Sequence, residues 1–114
     1  MTRVITLLSH PLFGRGVESL LRRQTGLEIV GRETDANKVI ERMTELRPDV
    51  VIVDSADPEC DPVSVVMRIL RERVGTRVVA LNLQDNTMWV YRGEQRVVTQ
   101  VQDLLEAIEQ PVLT

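Results

Sequence analysis

Three short, almost purely apolar runs rich in β-branched residues constrain the fold of this chain more than any other feature. They occupy residues 4–8, 50–53 and 78–81. Runs of this length without polar alternation are typical of strands covered on both faces, as in a parallel sheet between two layers of helices. A fourth run, residues 27–30, alternates more and indicates an outer strand. The pattern therefore predicts four strands of one sheet.

The segments between these runs carry apolar residues at helical spacing. The stripes start at Leu12, Ala36, Val63 and Val101. Asp61 followed by Pro62 is typical of an N-cap and the first residue of a helix. Thr99 with Gln102 three residues later is typical of a capping box. Strands that alternate with helices predict βαβ units with right-handed crossovers, and hence an α/β fold with a doubly wound sheet.

Residues 88–98 interrupt this alternation, because too few residues remain before the cap at Thr99 for another helix and strand. Gly93 followed by Glu94 suits a two-residue hairpin loop, since a type II′ turn needs a positive φ at its first central residue. In that register Val90 pairs with Val97. The sequence therefore predicts a β-hairpin near residues 88–98.

Trp89 and Tyr91 project from the same face of this predicted hairpin. Aromatic residues are enriched among the side chains that dominate protein interfaces, so the two residues form a candidate interface. Packing of Trp89 on the sheet or on the last helix is an equally good interpretation of the sequence.

Size, charge and cysteine content narrow the functional classes. The chain has 114 residues, enough for a single domain spanning 1–114 with its own core. Its 14 Lys and Arg against 17 Asp and Glu give a net charge of −3, which argues against nucleic acid as a partner, since such binding depends on cationic contacts with phosphate. The single Cys60 can form no internal disulfide, and no signal peptide or membrane-spanning run is present, so we expect a cytoplasmic domain without membrane contact.

Asp54 is the most informative polar residue of the chain. Chemistry in an open α/β sheet gathers at the carboxyl ends of the strands, and Asp54 directly follows the most apolar run. A carboxylate in that place can bind a metal ion or accept a phosphoryl group as a nucleophile. An acidic residue that simply caps the following loop is the alternative.

The order of elements and several motifs resemble the receiver domain of two-component response regulators, in particular the NarL/FixJ type. Residues 8–13, Leu-Ser-His-Pro-Leu-Phe, are similar to the Asp-Asp-His-Pro-Leu-Phe opening of that type. Residues 46–54 resemble its third strand and phosphoacceptor, and Pro-Glu-Cys-Asp at residues 58–61 resembles its Pro-Gly-Met-Asp loop. The resemblance covers residues 2 to about 83 and resumes in the last helix. It implies a flavodoxin-like (CheY-like), mainly parallel sheet with strand order 2-1-3-4-5, in which the hairpin replaces the fourth helix.

The resemblance also implies a phosphorylation site with four parts. Family members have an acidic pair after the first strand that binds Mg²⁺, an acceptor aspartate after the third, a Thr or Ser after the fourth and a Lys after the fifth. Asp54 occupies the acceptor position. Leu8 and Ser9 replace the acidic pair. Asn82 replaces the hydroxyl residue, and the lysine is absent, with Arg92 as a loose substitute at most.

Loss of the acidic pair predicts that Mg²⁺ binding is lost or weak, because Mg²⁺ is normally held by carboxylates. Without the ion, an anionic Asp54 would meet an anionic phosphoryl donor with no compensating charge. We therefore expect no cofactor, no metal site and no enzymatic activity. The favoured interpretation is a pseudo-receiver that acts through contact with an unidentified protein partner.

Two other functions stay open. Asp57 or Glu59 could supply a metal ligand and make Asp54 an unconventional phosphoacceptor. A small molecule could instead bind at the vacated metal site among Leu8, Asp54 and Asn82. Receiver precedent also makes a homodimer an expectation. Receivers of this family commonly precede a DNA-binding domain, so the chain either acts in trans or is a piece of a longer regulator.

Overall fold

A computed structural model describes residues 1–8, 11–54, 62–82 and 84–109, except for the side chains of residues 11–13 and 62. The strands in these ranges are β1 (Thr2–Leu7), β2 (Leu27–Glu33), β3 (Val50–Asp54), β4 (Arg77–Asn82) and β5 (Thr87–Arg92). The helices are α1 (Pro11–Arg22), α2 (Ala36–Leu46), α3 (Pro62–Glu72) and α4 (Val101–Glu109). Within the described ranges, no helix has the length and apolar character needed to cross a membrane.

The strands form one sheet in the order β2-β1-β3-β4-β5. β1 pairs in parallel with β2 and β3, and β3 pairs in parallel with β4. Parallel neighbours need a crossover connection, and α1, α2 and α3 provide it. β5 pairs with β4 in the antiparallel direction. The predicted flavodoxin-like sheet and its strand order are therefore confirmed.

The antiparallel hairpin lies earlier in the chain than predicted. β4 and β5 form it directly, with Val79 opposite Val90. The prediction that the hairpin spans residues 88–98 and turns at Gly93 is therefore wrong, since residues 93–99, all of them described, belong to no strand. Pairing with β4 adds β5 to an existing sheet, whereas an isolated two-stranded hairpin is only marginally stable in water.

The connection between β4 and β5 is too short for a helix and is held by its own polar side chains. Asn82 Oδ1 accepts a hydrogen bond of 2.9 Å from the backbone N–H of Gln84, and Asp85 Oδ1 accepts one of 3.1 Å from that of Thr87. Asn86 has a φ of 56°, a left-handed conformation in which asparagine is enriched. A hairpin does replace the fourth helix, as predicted, although other strands form it.

Helices cover the two faces of the sheet unequally. α2 and α3 cover the face that carries the larger core, which we call the α2–α3 face. Its buried residues are Ile5, Leu7, Val39, Met43, Val51, Val53, Val65, Val66, Ile69, Val78 and Ala80. On the opposite face, the α1 face, Val17 and Leu21 of α1 pack on a smaller cluster of Val4, Leu8 and Ile52.

α4 forms as its apolar stripe predicts, yet none of its described residues is buried. Asp103 caps its first turn, because Asp103 Oδ2 accepts hydrogen bonds of 3.0 and 3.1 Å from the N–H and the hydroxyl of Thr99. The prediction that Gln102 completes the capping box with Thr99 is therefore wrong by one residue. The backbone hydrogen bond from Thr99, followed by the other donors, lowers the pKa of Asp103. Asp61, the predicted N-cap of α3, lies outside the described residues.

Candidate functional site

Leu8 and Asp54 lie side by side at the carboxyl edge of the sheet. Leu7 is aligned with Val53 across the parallel β1–β3 pair, so the residues that follow each of them are level. Asp54 is in turn aligned with Leu81 of β4. The fold therefore brings together the positions that the family resemblance assigns to metal binding and phosphoryl acceptance.

Leu8 belongs to the core of the α1 face. It is 6% exposed and clusters with Val4 and Ile52 beneath α1. A Cβ built on Gly14 of α1 would lie 3.6 Å from Leu8 Cβ, so the helix passes closely over this side chain. An aliphatic side chain supplies none of the oxygen ligands that Mg²⁺ requires.

The other candidate ligands are only partly within the described residues. Asp54 is half-buried at the end of β3. Ser9, Asp57 and Glu59 lie outside the described residues. Among the side chains that the structure does describe, no group of three or more His, Cys, Asp or Glu is placed to hold a metal ion.

Asn82 takes part in the turn that follows β4. It comes one residue after Leu81, the residue level with Asp54. Because Asn82 Oδ1 accepts the hydrogen bond from Gln84, the side-chain carbonyl is engaged by the hairpin connection. Asn82 therefore has a local structural role at the position where the family places a hydroxyl.

The suggestion that Arg92 substitutes for the family lysine is wrong. β5 runs antiparallel, so Arg92 at its end pairs with Arg77 at the start of β4. Leu81 lies four residue steps beyond Arg77 in β4, which corresponds to about 13 Å along the strand. Arg92 therefore lies at the opposite edge of the sheet from Asp54. The sequence has a single lysine, Lys38, and it lies on α2.

Trp89 and Tyr91 lie on the α2–α3 face in the outermost strand of the sheet, opposite Ala80 and Val78. Their rings are stacked, with centroids 6.5 Å apart and planes inclined by 25°. Tyr91 packs against the core of this face, whereas Trp89 is 64% exposed. The sequence left open whether Trp89 packs on the sheet or the last helix or belongs to an interface. In the structure the Trp89 side chain is mostly exposed, and Tyr91 packs against the core.

A buried glutamate that sequence analysis did not single out joins α1 to the sheet. Glu18 Oε1 accepts a hydrogen bond of 3.1 Å from the hydroxyl of Thr6 in β1, and Glu18 Oε2 lies 2.9 Å from Nε of Arg32 in β2. The sequence signal for this residue is its position. Glu18 is an acidic residue between Val17 and Leu21, the two apolar residues through which α1 packs on the sheet.

A cavity of about 250 Å³ opens beside Glu18 on the α1 face, with Leu8, Gly14 and Arg32 among the residues that line it. Of the residues proposed for a small-molecule site, Leu8 lines this cavity, whereas the described residues Asp54 and Asn82 do not. The cavity therefore lies on the β2 side of Leu8, away from Asp54.

Comparison with known proteins finds response regulators and protein-glutamate methylesterase/protein-glutamine glutaminases among the relatives. The response regulator GacA of Pseudomonas viridiflava is 29% identical over 83 residues, which cover 73% of this chain and 39% of GacA. A protein-glutamate methylesterase/protein-glutamine glutaminase of Alkalilimnicola ehrlichii is 31% identical over 71 residues, which cover 62% of this chain and 18% of that protein. The chain thus spans less than half the length of these relatives. No family model matches it.

Solved structures give the same result. The signal receiver domain of the response regulator NarL from Mycobacterium tuberculosis superposes with a TM-score of 0.62 at 28% identity, covering 71% of this chain and 65% of that one. The response regulator domain of CheB from Thermotoga maritima gives a TM-score of 0.62 at 22% identity, covering 72% of this chain and 60% of that one. The similarity to the CheB domain shows a common fold. The NarL domain belongs to a response regulator, as GacA does, so the structural comparison agrees with the sequence comparison.

Proposed function

Because this chain is a CheY-like receiver domain of the response-regulator type, we propose that it is a pseudo-receiver, a signalling domain that acts through protein–protein contact without accepting a phosphoryl group. The observation that carries the proposal is the environment of Leu8. A buried leucine stands level with Asp54 at the position where the resemblance places a carboxylate that holds Mg²⁺.

The charge of the reacting groups explains why a leucine at position 8, in place of a metal-binding carboxylate, should prevent phosphoryl transfer. Phosphoryl transfer to Asp54 brings a carboxylate and an anionic donor together, and the metal ion normally neutralises that charge. Two unit charges 4 Å apart interact by about 4 kcal/mol at an effective dielectric constant of about 20. A repulsion of that size slows a reaction roughly a thousandfold when no metal ion offsets it.

Two further positions of the family site differ in this chain. The side-chain carbonyl of Asn82 is engaged by the β4–β5 turn. Arg92 lies at the opposite edge of the sheet. A phosphoryl group on Asp54 would therefore meet neither the hydroxyl nor the lysine that family members use.

Trp89 offers a surface for a protein partner. It is a large aromatic side chain, mostly exposed, and it stacks on Tyr91, which the core holds in place. Aromatic side chains held in one position lose little conformational entropy on binding and are frequent hot spots. In this proposal the domain is a non-enzymatic cytoplasmic module that needs no metal ion or cofactor, and it contacts neither nucleic acid nor membrane.

Intact-mass spectrometry tests the proposal after incubation of the chain with acetyl phosphate and Mg²⁺. We expect no added phosphoryl group, as for the matched variant Asp54→Asn, while a receiver with a complete site is labelled in the same reaction. Stoichiometric labelling of the wild-type chain that disappears in Asp54→Asn would overturn the proposal in favour of an unconventional phosphoacceptor.

The cavity beside Leu8 favours small-molecule sensing as a second candidate function. Its charged lining residues are Arg15, Arg32, Glu18 and Glu33. Glu18 is paired with Arg32, and Glu33 with Arg42, so a small molecule with both a carboxylate and an ammonium group would share these ion pairs. Thermal unfolding with a panel of free amino acids tests this function. A stabilising compound whose effect is lost in Arg32→Gln would support sensing, and no stabilisation by any member of the panel would exclude this ligand class.

A further inference from the structure

We propose that a second copy of this chain covers the open part of the α1 face, by placing its α4 helix in an apolar trough between α1 and β5. The α1–β5 trough is lined by Leu20, Val79, Leu81, Met88 and Val90. The exchange is reciprocal, so each copy of the chain gives one helix and receives one. The inference does not depend on whether Asp54 accepts a phosphoryl group.

The floor of the trough is the part of the sheet that extends beyond α1. Val79 is aligned with Val90 and Leu81 with Met88 across the hairpin. Val79 and Leu81 pack in part against the cluster under α1, which places these two pairs on the α1 face. Met88 and Val90 are 61% and 48% exposed, so α1 leaves the outer half of this floor uncovered.

α1 forms the wall of the trough. Glu18 points to the β2 side, where it pairs with Arg32. Leu20 follows two residues later, roughly 200° further around the helix, and therefore points to the β4 side. Leu20 is 64% exposed although it is a large aliphatic residue beside an apolar floor.

α4 matches the trough in length, polarity and charge. Its nine residues span about 13 Å, which is shorter than a six-residue strand. Its apolar stripe, formed by Val101, Leu104, Leu105 and Ile108, is exposed. Asp103, Glu106 and Glu109 are its charged residues. Among the described side chains of α1, the exposed charged ones are Arg15 and Arg22, and the exposed Arg23 directly follows the helix. In the proposed dimer the acidic α4 would therefore lie beside the basic α1.

The path of the chain favours a helix from a second copy over the chain's own α4. A Cβ built on Gly93, directly after β5, would lie 3.6 Å from Leu70 Cβ on α3. Leu70 packs against the core of the α2–α3 face, so the chain leaves β5 on the face opposite the trough. The radius of gyration, 15.5 Å, exceeds the value of about 13 Å expected for a compact chain of this length.

The segment between β5 and α4 is suited to an exchange. Residues 93–100 are eight residues that can span roughly 25 Å when extended. Exchange of an identical element between two copies needs no new complementary surface, since the acceptor face and the donated helix are encoded in one sequence. The proposed dimer would therefore cover both apolar surfaces that the single chain leaves open.

Light scattering coupled to size exclusion, on the full chain at rising concentration, tests the proposal. We expect a mass that rises to two chains for the wild type and stays at one chain for Leu105→Glu in the helix and Leu20→Glu in the trough. Both substituted side chains are exposed in the single chain, so circular dichroism should show folded variants. Met88→Lys provides a second trough variant should Leu20→Glu fail to fold.

An equimolar mixture of the two monomeric variants distinguishes helix exchange from other dimers. The intact α4 of Leu20→Glu can enter the intact trough of Leu105→Glu, so we expect a species of two-chain mass to return in the mixture. Trp89→Ala, on the other face, should leave the dimer unchanged and serves as the control. A wild type that stays at one chain overturns the proposal, as does a dimer that survives Leu20→Glu and Met88→Lys.

Discussion

Glu18 of α1 and Thr6 of β1 share a buried hydrogen bond of 3.1 Å that fixes the helix on the sheet. The same carboxylate lies 2.9 Å from Arg32, whose side chain is 58% exposed. The two partners of Glu18 therefore differ in their access to water. Thr6 is only 2% exposed, whereas Arg32 can be rehydrated.

Replacing Glu18 should consequently cost more than replacing Arg32. We expect Glu18→Ala to lower the free energy of unfolding by about 2 kcal/mol, because a buried hydroxyl is left without an acceptor. Arg32→Gln should lower it by less than about 1 kcal/mol, as is usual for exposed ion pairs. Urea denaturation measures both, and a cycle with Thr6→Val isolates the buried hydrogen bond. Equal losses for Glu18→Ala and Arg32→Gln would contradict the argument.

The position of the hairpin turn can be tested with two substitutions. Asn86 has a left-handed φ of 56°, so Asn86→Val should cost about 1–2 kcal/mol of stability. Gly93→Ala should cost less than about 0.5 kcal/mol, because its new methyl group would meet Leu70 at ordinary contact distance and Gly93 has no positive φ. The opposite order, a large loss of stability for Gly93→Ala and none for Asn86→Val, would support the turn at Gly93 that the sequence predicts.

The two stacked aromatic residues should differ in their effect on stability. Tyr91→Ala removes a side chain that packs on the core, and we expect a loss of about 2 kcal/mol. Trp89→Ala should cost less than about 1 kcal/mol, because mainly the ring stacking is lost. Urea denaturation of both variants checks this order. A larger loss for Trp89→Ala would show that Trp89 belongs to the core and would weaken its assignment as an interface residue.

The cap of α4 should respond to acid. Hydrogen bonds from Thr99, followed by that from Gln100, lower the pKa of Asp103 from its ordinary value of 3.8. The folded state therefore favours the ionised carboxylate, and its contribution is complete above pH 3.8 and is lost as the pH falls through the lowered pKa. The amide proton shifts of Thr99 and Gln100 should report this titration, and Asp103→Asn should abolish it. Shifts that titrate above pH 3.8 would contradict the direction of the pKa change.

The centre of the fold could be predicted from the sequence because each of its elements has a local signature. Residues 50–53 are apolar throughout, as a central strand requires, and β3 lies in the middle of the sheet. The partner of the last strand could not be predicted in the same way, because Val90 pairs equally well with Val97 or with Val79. Val90 pairs with Val79 because β4 already belongs to the sheet, and this depends on contacts between distant parts of the chain.

The candidate site was predictable only where the family resemblance and the strand direction agree. Leu8 directly follows β1, and Asp54 and Asn82 end β3 and β4. These strands run in parallel, so the places of the three residues at the carboxyl edge follow from the sequence. Arg92 was misplaced because the direction of β5 depends on the hairpin. Glu18 was missed because a single glutamate on an amphipathic helix is normally a surface residue, and its buried partner Thr6 comes from a distant strand.

Titration of Mg²⁺ while the thermal unfolding temperature is recorded tests the central claim most directly. A ligand that binds only the folded state stabilises it, by about 2.7 kcal/mol at a hundredfold excess over its dissociation constant. The double variant Leu8→Asp with Ser9→Asp restores the acidic pair and serves as the positive control. It should be less stable in buffer, because it places a charge at a buried position, but it should gain stability from Mg²⁺. For the wild-type chain we predict an unfolding temperature that does not change with Mg²⁺, whereas a rise that disappears in Asp54→Asn would contradict the account.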